Sequence, residues 1–185
     1  FFGFASTRDV QAALRSALSD ESVDRIVLNI DSPGGEVDGT AELADAVAAA
    51  AKSKRVIAQV DGVAASAAYW VASQASVIYA GRMDMIGSIG VRMMMYDFSA
   101  MFEQAGIRAI PIDTGEFKST GAQGTEVTPE QESYLQGLVD ASFAEFRQAV
   151  QTGRGLSDDQ FEAVGDGRVF PASEAINLGL VDQIQ

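Results

Sequence analysis

Apolar side chains recur along this chain with two different periods, and the switches between them mark out the elements. From Thr7 to Leu18 they fall at Val10, Ala13, Leu14 and Leu18, a helical spacing. Arg25 to Ile30 (RIVLNI) is instead a continuous β-branched and leucine-rich run, which predicts a buried strand. The turn Asp31-Ser32-Pro33-Gly34-Gly35 follows. Asp38 to Lys52 is alanine-rich and predicts a helix with Lys52, Lys54 and Arg55 at its negative end. Val56 to Val60 reads as the next strand, Ala64 to Ser73 as a small-residue helix, and Val77 to Ala80 as a short strand. Gly87 to Val91 predicts a tight turn into a further strand, Met101 to Gln104 a helix, and Ala109 to Ile112 an extended segment.

The second half opens on Glu116 to Thr125, rich in Gly, Ser and Thr and without periodicity, which predicts a mobile loop. Thr128-Pro129-Glu130-Gln131 combines an N-cap, a first-turn proline and a capping-box partner. Leu135, Leu138, Val139, Phe143, Phe146 and Val150 then form one stripe, and Gly153 and Gly155 are expected to stop the helix. Ser157 to Val164 predicts another capped helix and Ala172 to Leu178 a last one. Alternating strands and helices with short connections predict an α/β fold on a largely parallel sheet.

Composition narrows the chemistry. The 185 residues suit one domain. The chain contains no histidine and no cysteine. That excludes Ser-His-Asp and Cys-His catalysis, zinc sites built on those ligands, and disulfides. A net charge of −13 does not attract nucleic acid or anionic membranes. No metal or cofactor is expected. Any reaction must rest on Ser, Thr, Lys, Tyr, carboxylates or backbone groups. No apolar run is long enough for a transmembrane helix, and a first residue other than Met predicts a fragment or processed form.

Glycine and polar residues meet at strand ends, where parallel α/β sheets place their sites. In Ser32-Pro33-Gly34-Gly35-Glu36, paired glycines leave backbone N–H groups free for an anion; an ordinary strand-to-helix turn would look the same. In Ala64-Ala65-Ser66-Ala67-Ala68, Ser66 opens a helix. It is either a nucleophile backed by the next N–H, or a helix N-terminal serine packed among alanines because backbones approach closely there. Lys118 is one of three lysines and the one outside a helix end. It is either a solvated loop residue or a general base made neutral by a dry setting. Ser88 could orient such an amine or simply cap a turn. The Ser-x-x-Lys scheme is absent, as is a Gly-x-Ser-x-Gly elbow around Ser66.

In order, the motifs are Ser-Pro-Gly-Gly (residues 32–35), Ala-Ala-Ser-Ala-Ala-Tyr-Trp (64–70), Gly-Ser-Ile-Gly-Val (87–91) and a lysine in a glycine-rich loop. Together they resemble the signal peptide peptidase A family of serine peptidases. Asp166-Gly167-Arg168-Val169-Phe170 and Gly179-Leu180-Val181-Asp182 are similar to its C-terminal signature. The resemblance implies a single peptidase domain over residues 1–185. Its fold would be the Clp protease/crotonase-like spiral of ββα units with a C-terminal helical segment, with the first strand expected upstream of Phe1. It implies Ser66 as nucleophile, Lys118 as general base and Ser88 orienting the lysine. The N–H groups of Gly35 and Ala67 would hold the oxyanion, and Gly34, Gly35 and Glu36 would line an extended polypeptide. Ser88 and Lys118 stand 22 and 52 residues after Ser66, as in the family. The resemblance further implies a homo-oligomeric ring in which Lys118 of one copy approaches Ser66 of the next.

Ser66-Ala67-Ala68-Tyr69-Trp70 looks most like tailed-phage members, which cut scaffold or capsid precursors in the prohead within the host cytoplasm. A cellular signal peptide peptidase on the periplasmic side of the cytoplasmic membrane is the alternative within the family. Outside it stand a crotonase-like acyl-CoA enzyme and a non-catalytic assembly scaffold.

Overall fold

The computed structural model describes residues 5–185, which divide into two compact units: residues 5–90 with 143–185, and residues 91–142. The first unit is built on a sheet. Its strands are β1 (Arg25–Ser32), β2 (Arg55–Ala65), β3 (Val77–Ala80), β4 (Met85–Gly87), β5 (Val169–Pro171) and β6 (Gln183–Ile184). Strand β2 organises the rest. It pairs in parallel with β1 from Arg25↔Arg55 onward. Near its start it also pairs with β3 through Ile57↔Val77, and near its end with β4 through Val63↔Met85. One long strand thus serves two short ones in succession and the sheet curls along it. Among the described residues, only the β4–β5 pair is antiparallel.

Helices α1 (Thr7–Ser19), α2 (Thr40–Ala51) and α3 (Ala67–Ala72) belong to this unit. Val56, Ala58, Val60, Ile78 and Ala80 on the sheet are buried, as are Leu43, Val47 and Ala50 of α2 and Tyr69 and Trp70 of α3. Alanines at these positions let helix and sheet backbones come close, which a core of larger side chains would prevent. The opposite face of β1 is open: Val27 is 56% exposed, and Arg25 and Asn29 beside it are exposed too. The RIVLNI run is therefore buried on one face, not two. Its continuous hydrophobicity hid an alternation that burial reveals.

Two further expectations are corrected. The helix read from Ala64 begins at Ala67, because β4 holds Val63–Ala65 in the sheet. The strand expected after Gly90 is absent; β4 instead precedes the Gly87–Ser88 turn, where β5 supplies a partner. Both errors concern pairing between residues far apart in sequence.

The C-terminal part of α5 (Pro129–Arg154) belongs to this unit, and Trp70 stacks on its Phe146 at 4.7 Å between ring centroids. Gly153 lies inside the helix rather than ending it. A Cβ there would run into the Ser73 carbonyl oxygen, so glycine is required by close approach of α5 to the end of α3. Gly155, at φ +64°, ends the helix, and the Leu156 N–H donates to the Gln151 carbonyl (3.1 Å), the bond of a Schellman cap. Helix α6 (Asp158–Glu162) carries a capping box from Ser157 and Gln160, and α7 (Ala172–Ala175) follows β5.

A latch ties the C-terminus down. The Arg154 guanidinium binds both carboxylate oxygens of Asp182 (2.7 and 3.0 Å) and the Gly179 carbonyl (3.0 Å). Asp182 also accepts the Ile78 N–H, and the buried Tyr69 hydroxyl donates to the Leu180 carbonyl (2.9 Å). Burial pushes the Tyr69 phenol well up. For Asp182 burial acts upward as well, but hydrogen bonds from Arg154 and the Ile78 N–H outweigh it and hold the carboxyl below its ordinary value. A carboxyl lowered in the folded state adds stability above its unfolded value of 3.8. That contribution is lost as the pH falls through the lower folded value. The Asp182 side chain is 35% exposed, so solvent screening limits the contribution to about 1 kcal/mol. Asp182→Asn is expected to lower the urea midpoint at pH 7, with the gap to wild type closing in acid. Urea titrations at pH 7 and at pH 2.5 check this.

The second unit holds α4 (Ser99–Gln104) and the N-terminal part of α5, joined by segments outside regular secondary structure. Thr128 and Gln131 exchange the two expected capping bonds, each 3.3 Å. The α5 stripe divides: Phe146 and Val150 are core residues of the first unit, whereas Leu135 and Val139 line a cavity of about 250 Å³ in the second with Met93 and Met95. Residues 115–125 form successive turns, with N–H groups of Lys118, Thr120, Ala122 and Thr125 each bonded three residues back.

Candidate active site

Strands β1 and β2 run parallel, so their C-terminal ends, at Ser32 and Ala65, lie at one edge of the sheet. Ser66 follows directly, at φ 52° and ψ −127°. A side chain at positive φ is costly, of order 1–3 kcal/mol, and such strain gathers at functional sites. The turn is held from both sides: the Ser66 N–H donates to the Gly87 carbonyl (2.8 Å), and its own carbonyl accepts the Trp70 N–H (3.0 Å). Ser66 occupies the N-cap position of α3, yet its side chain makes no cap hydrogen bond. A capping serine would have extended backbone and a bonded hydroxyl. Ser66 therefore does not cap α3 through its side chain, and it is half-buried at the strand end.

The Ser32–Glu36 turn is pressed against this serine. Gly34 has φ +105°, and a Cβ built on it would lie 2.7 Å from the Ser66 Cβ and 3.1 Å from the Ala67 nitrogen. Glycine is needed here both for its backbone angle and for this contact. The Ser32 hydroxyl accepts the Gly34 N–H (3.2 Å) and helps fix the turn. Among the described residues, neither the Gly35 N–H nor the Ala67 N–H has a hydrogen-bond partner. Around Gly35 there is open space. Two unpaired N–H donors near Ser66 can donate to a developing oxyanion. Glu36 is exposed beyond them, and its carbonyl accepts the Thr40 hydroxyl (2.8 Å) ahead of α2.

Ser88 is joined to Ser66 through the chain that bonds it. It follows Gly87, whose carbonyl holds the Ser66 N–H. It too has positive φ, 50°, and its N–H donates to the Arg168 carbonyl (2.7 Å). Sequence reasoning did not assign Gly87 or Arg168 a place at the site. Gly87 could have been found from its position before a serine in a Gly-Ser turn; the role of the Arg168 carbonyl had no local signal. Lys118 belongs to the second unit, in the series of turns, and its side chain is exposed. The structure thus brings Gly34, Gly35, Ser66, Ala67 and Ser88 together within the first unit, while the lysine is carried by the other.

Among the described residues there is no cluster of three or more His, Cys, Asp or Glu side chains able to hold a metal ion, and no helix long and apolar enough to cross a membrane.

Residues 48–185 match the profile of Peptidase family S49. A protein of Methanocaldococcus jannaschii is 34% identical over 165 residues, 89% of this chain and 53% of that protein. Capsid assembly protease C of Escherichia phage lambda is 32% identical over 184 residues, 100% of this chain and 42% of that protein. Protease 4 of Haemophilus influenzae is 33% identical over 172 residues, 92% of this chain and 28% of that protein. The chain therefore spans about half or less of the length of these relatives.

Proposed function

This chain belongs to peptidase family S49, the signal peptide peptidase A family, and from that premise we propose that it hydrolyses peptide bonds with Ser66 as nucleophile and Lys118 as general base. The observation that carries the reading is the Ser66 turn. A serine at φ 52° caps nothing and lies against Gly34 beside two unpaired N–H groups. Neutral Lys118 takes the hydroxyl proton as the Ser66 oxygen attacks the peptide carbonyl carbon. The Gly35 and Ala67 N–H groups hold the oxyanion, each worth about 2.7–4 kcal/mol. The lysine returns the proton to the leaving amine, and water then releases the acyl group. Ser88 orients the lysine amine. An extended substrate lies along Gly34, Gly35 and Glu36, pairing with backbone.

A lysine base must be desolvated to be neutral, and the Lys118 side chain is exposed in the single chain. Assembly supplies the burial: Lys118 of one copy approaches Ser66 of the next in a ring. Exposed apolar side chains of the second unit support contact between copies, among them Met94, Tyr96, Ile110 and Ile112. The curled sheet, with β2 serving two strands in succession, supports the Clp/crotonase-like spiral for this domain.

The biological role proposed is cleavage of capsid or scaffold precursors during phage head assembly, in the prohead. Similarity to the lambda capsid assembly protease over the full chain supports it. Similarity to Protease 4 keeps the cellular role, acting on peptides at the cytoplasmic membrane, as the second reading. The test is digestion of a denatured protein by wild type, Ser66→Ala and Lys118→Ala at matched oligomeric state, read by mass spectrometry. Cleavage by wild type alone is expected. Equal fragments from all three would overturn the assignment.

A further inference from the structure

The segment Asp166-Gly167-Arg168 lies about 100 residues beyond Ser66 and about 80 beyond Ser88 in sequence, yet its Arg168 carbonyl accepts the Ser88 N–H. The geometry points to Asp166 as a positioning residue for Ser66 and Ser88, acting through the backbone of Arg168; this rests on the proposed peptidase reading and extends it.

The connection can be followed bond by bond. One oxygen of Asp166 accepts the Arg168 N–H (3.1 Å) and the other accepts Nε–H of the Arg168 guanidinium (2.7 Å). The guanidinium also reaches the Ala163 carbonyl (3.3 Å) and lies 5.4 Å from the centre of the Phe170 ring. The Arg168 peptide is thereby gripped at its N–H and through its side chain. Gly167, at φ +88°, makes the turn between them. The Arg168 carbonyl then accepts the Ser88 N–H, and the Gly87 carbonyl, one residue back, accepts the Ser66 N–H. A Cβ on Gly87 would lie 3.0 Å from the Arg168 carbonyl oxygen and 3.3 Å from the Phe170 ring, so glycine is what admits the anchor.

The ion pair itself is exposed, with side-chain exposures of 62% and 46%, and such pairs contribute little to global stability. Its consequence is local. Ser66 and Ser88 both hold positive φ, and strained residues keep that geometry only when surrounding bonds over-determine it. Asp166 grips the residue whose carbonyl accepts the Ser88 N–H, the last bond beyond the β4–β5 ladder. Backbone bonding to Arg168, followed by the guanidinium, also holds the Asp166 carboxyl below its ordinary value, as expected of a carboxylate kept in this grip.

The test compares Asp166→Ala with Asp166→Asn, which keeps an oxygen for the Arg168 N–H. Amide hydrogen exchange and peptide hydrolysis are both measured on the assembled protein. In Asp166→Ala the Ser88 and Ser66 amides are expected to exchange about tenfold faster, with the β1–β2 amides of Ile57 and Val60 unchanged. Its kcat is expected to fall about ten- to a hundredfold with KM within about twofold. Asp166→Asn should recover most of both. Unchanged exchange at Ser88 and Ser66 in Asp166→Ala would overturn the inference. So would faster exchange spread evenly through β2, which marks general loosening. If wild type hydrolyses nothing while the exchange changes appear as described, the peptidase reading fails and the positioning of the two serines by Asp166 stands.

Discussion

Ser66→Ala is expected to lower kcat for peptide hydrolysis by at least about a thousandfold while leaving the melting temperature within a few degrees of wild type. The hydroxyl oxygen is the only heavy atom removed, and it makes no cap hydrogen bond to the α3 backbone whose loss would cost stability. Replacing a small polar group at positive φ by a methyl keeps the backbone problem as it was. The turn should therefore survive without its hydroxyl. Substrate binding along Gly34 to Glu36 should survive too, so KM or inhibitor affinity is expected to stay near wild type. Lys118→Ala should match the loss in kcat, because in the proposed mechanism the two groups act as one unit and their effects do not add. The double variant is then no slower than either single one. Steady-state kinetics on one peptide, with all four proteins at matched oligomeric state, measures this. Wild-type kcat in Ser66→Ala would end the assignment of Ser66 as nucleophile.

Gly34→Ala should combine the loss of activity with a loss of stability of roughly 2–4 kcal/mol. The added methyl would stand 2.7 Å from the Ser66 Cβ and 2.9 Å from the Ala65 carbonyl oxygen, both closer than any real contact allows. Backbone rather than a flexible tip is in the way, so the turn itself must shift. Alanine at φ +105° adds its own strain. The same methyl would lie 3.1 Å from the Ala67 nitrogen, within the space an oxyanion needs. Relief of the clash therefore moves Gly35, Ser66 or Ala67 out of register. Gly35→Ala is the informative contrast. A Cβ there meets nothing within 4 Å, and φ is not positive, so stability should be nearly unchanged. Denaturant melts of both variants distinguish the two positions, and equal stability loss in both would overturn the account of Gly34.

Legibility along the chain followed the range of the interactions. The α1 periodicity, the Thr128–Gln131 cap, the capped start of α6 at Ser157 and the Gly155 stop involve residues within one or two turns of each other, and all appear in the structure. The candidate site was legible for a different reason. Ser32-Pro33-Gly34-Gly35, Ser66 and Gly87-Ser88 are each short turns whose glycines and serines are unusual enough in pattern to be noticed. What escaped notice was pairing at a distance. Strands β5 and β6 have three and two residues, too few for any period, and exist because β4 and β3 offer them bonds.

By itself, then, the sequence determined where α1, α5 and α6 begin, which chemistry is excluded by the absence of histidine and cysteine, and which turns could hold a serine and free N–H groups. Only tertiary structure decided that β2 continues to Ala65 and that Gly34 closes onto Ser66. It also decided that Ser88 hangs from the carbonyl of Arg168. The physical reason is that caps and helical stripes are fixed by neighbours along the chain, whereas a strand end or a strained turn is fixed by backbone groups that folding alone brings within bonding distance.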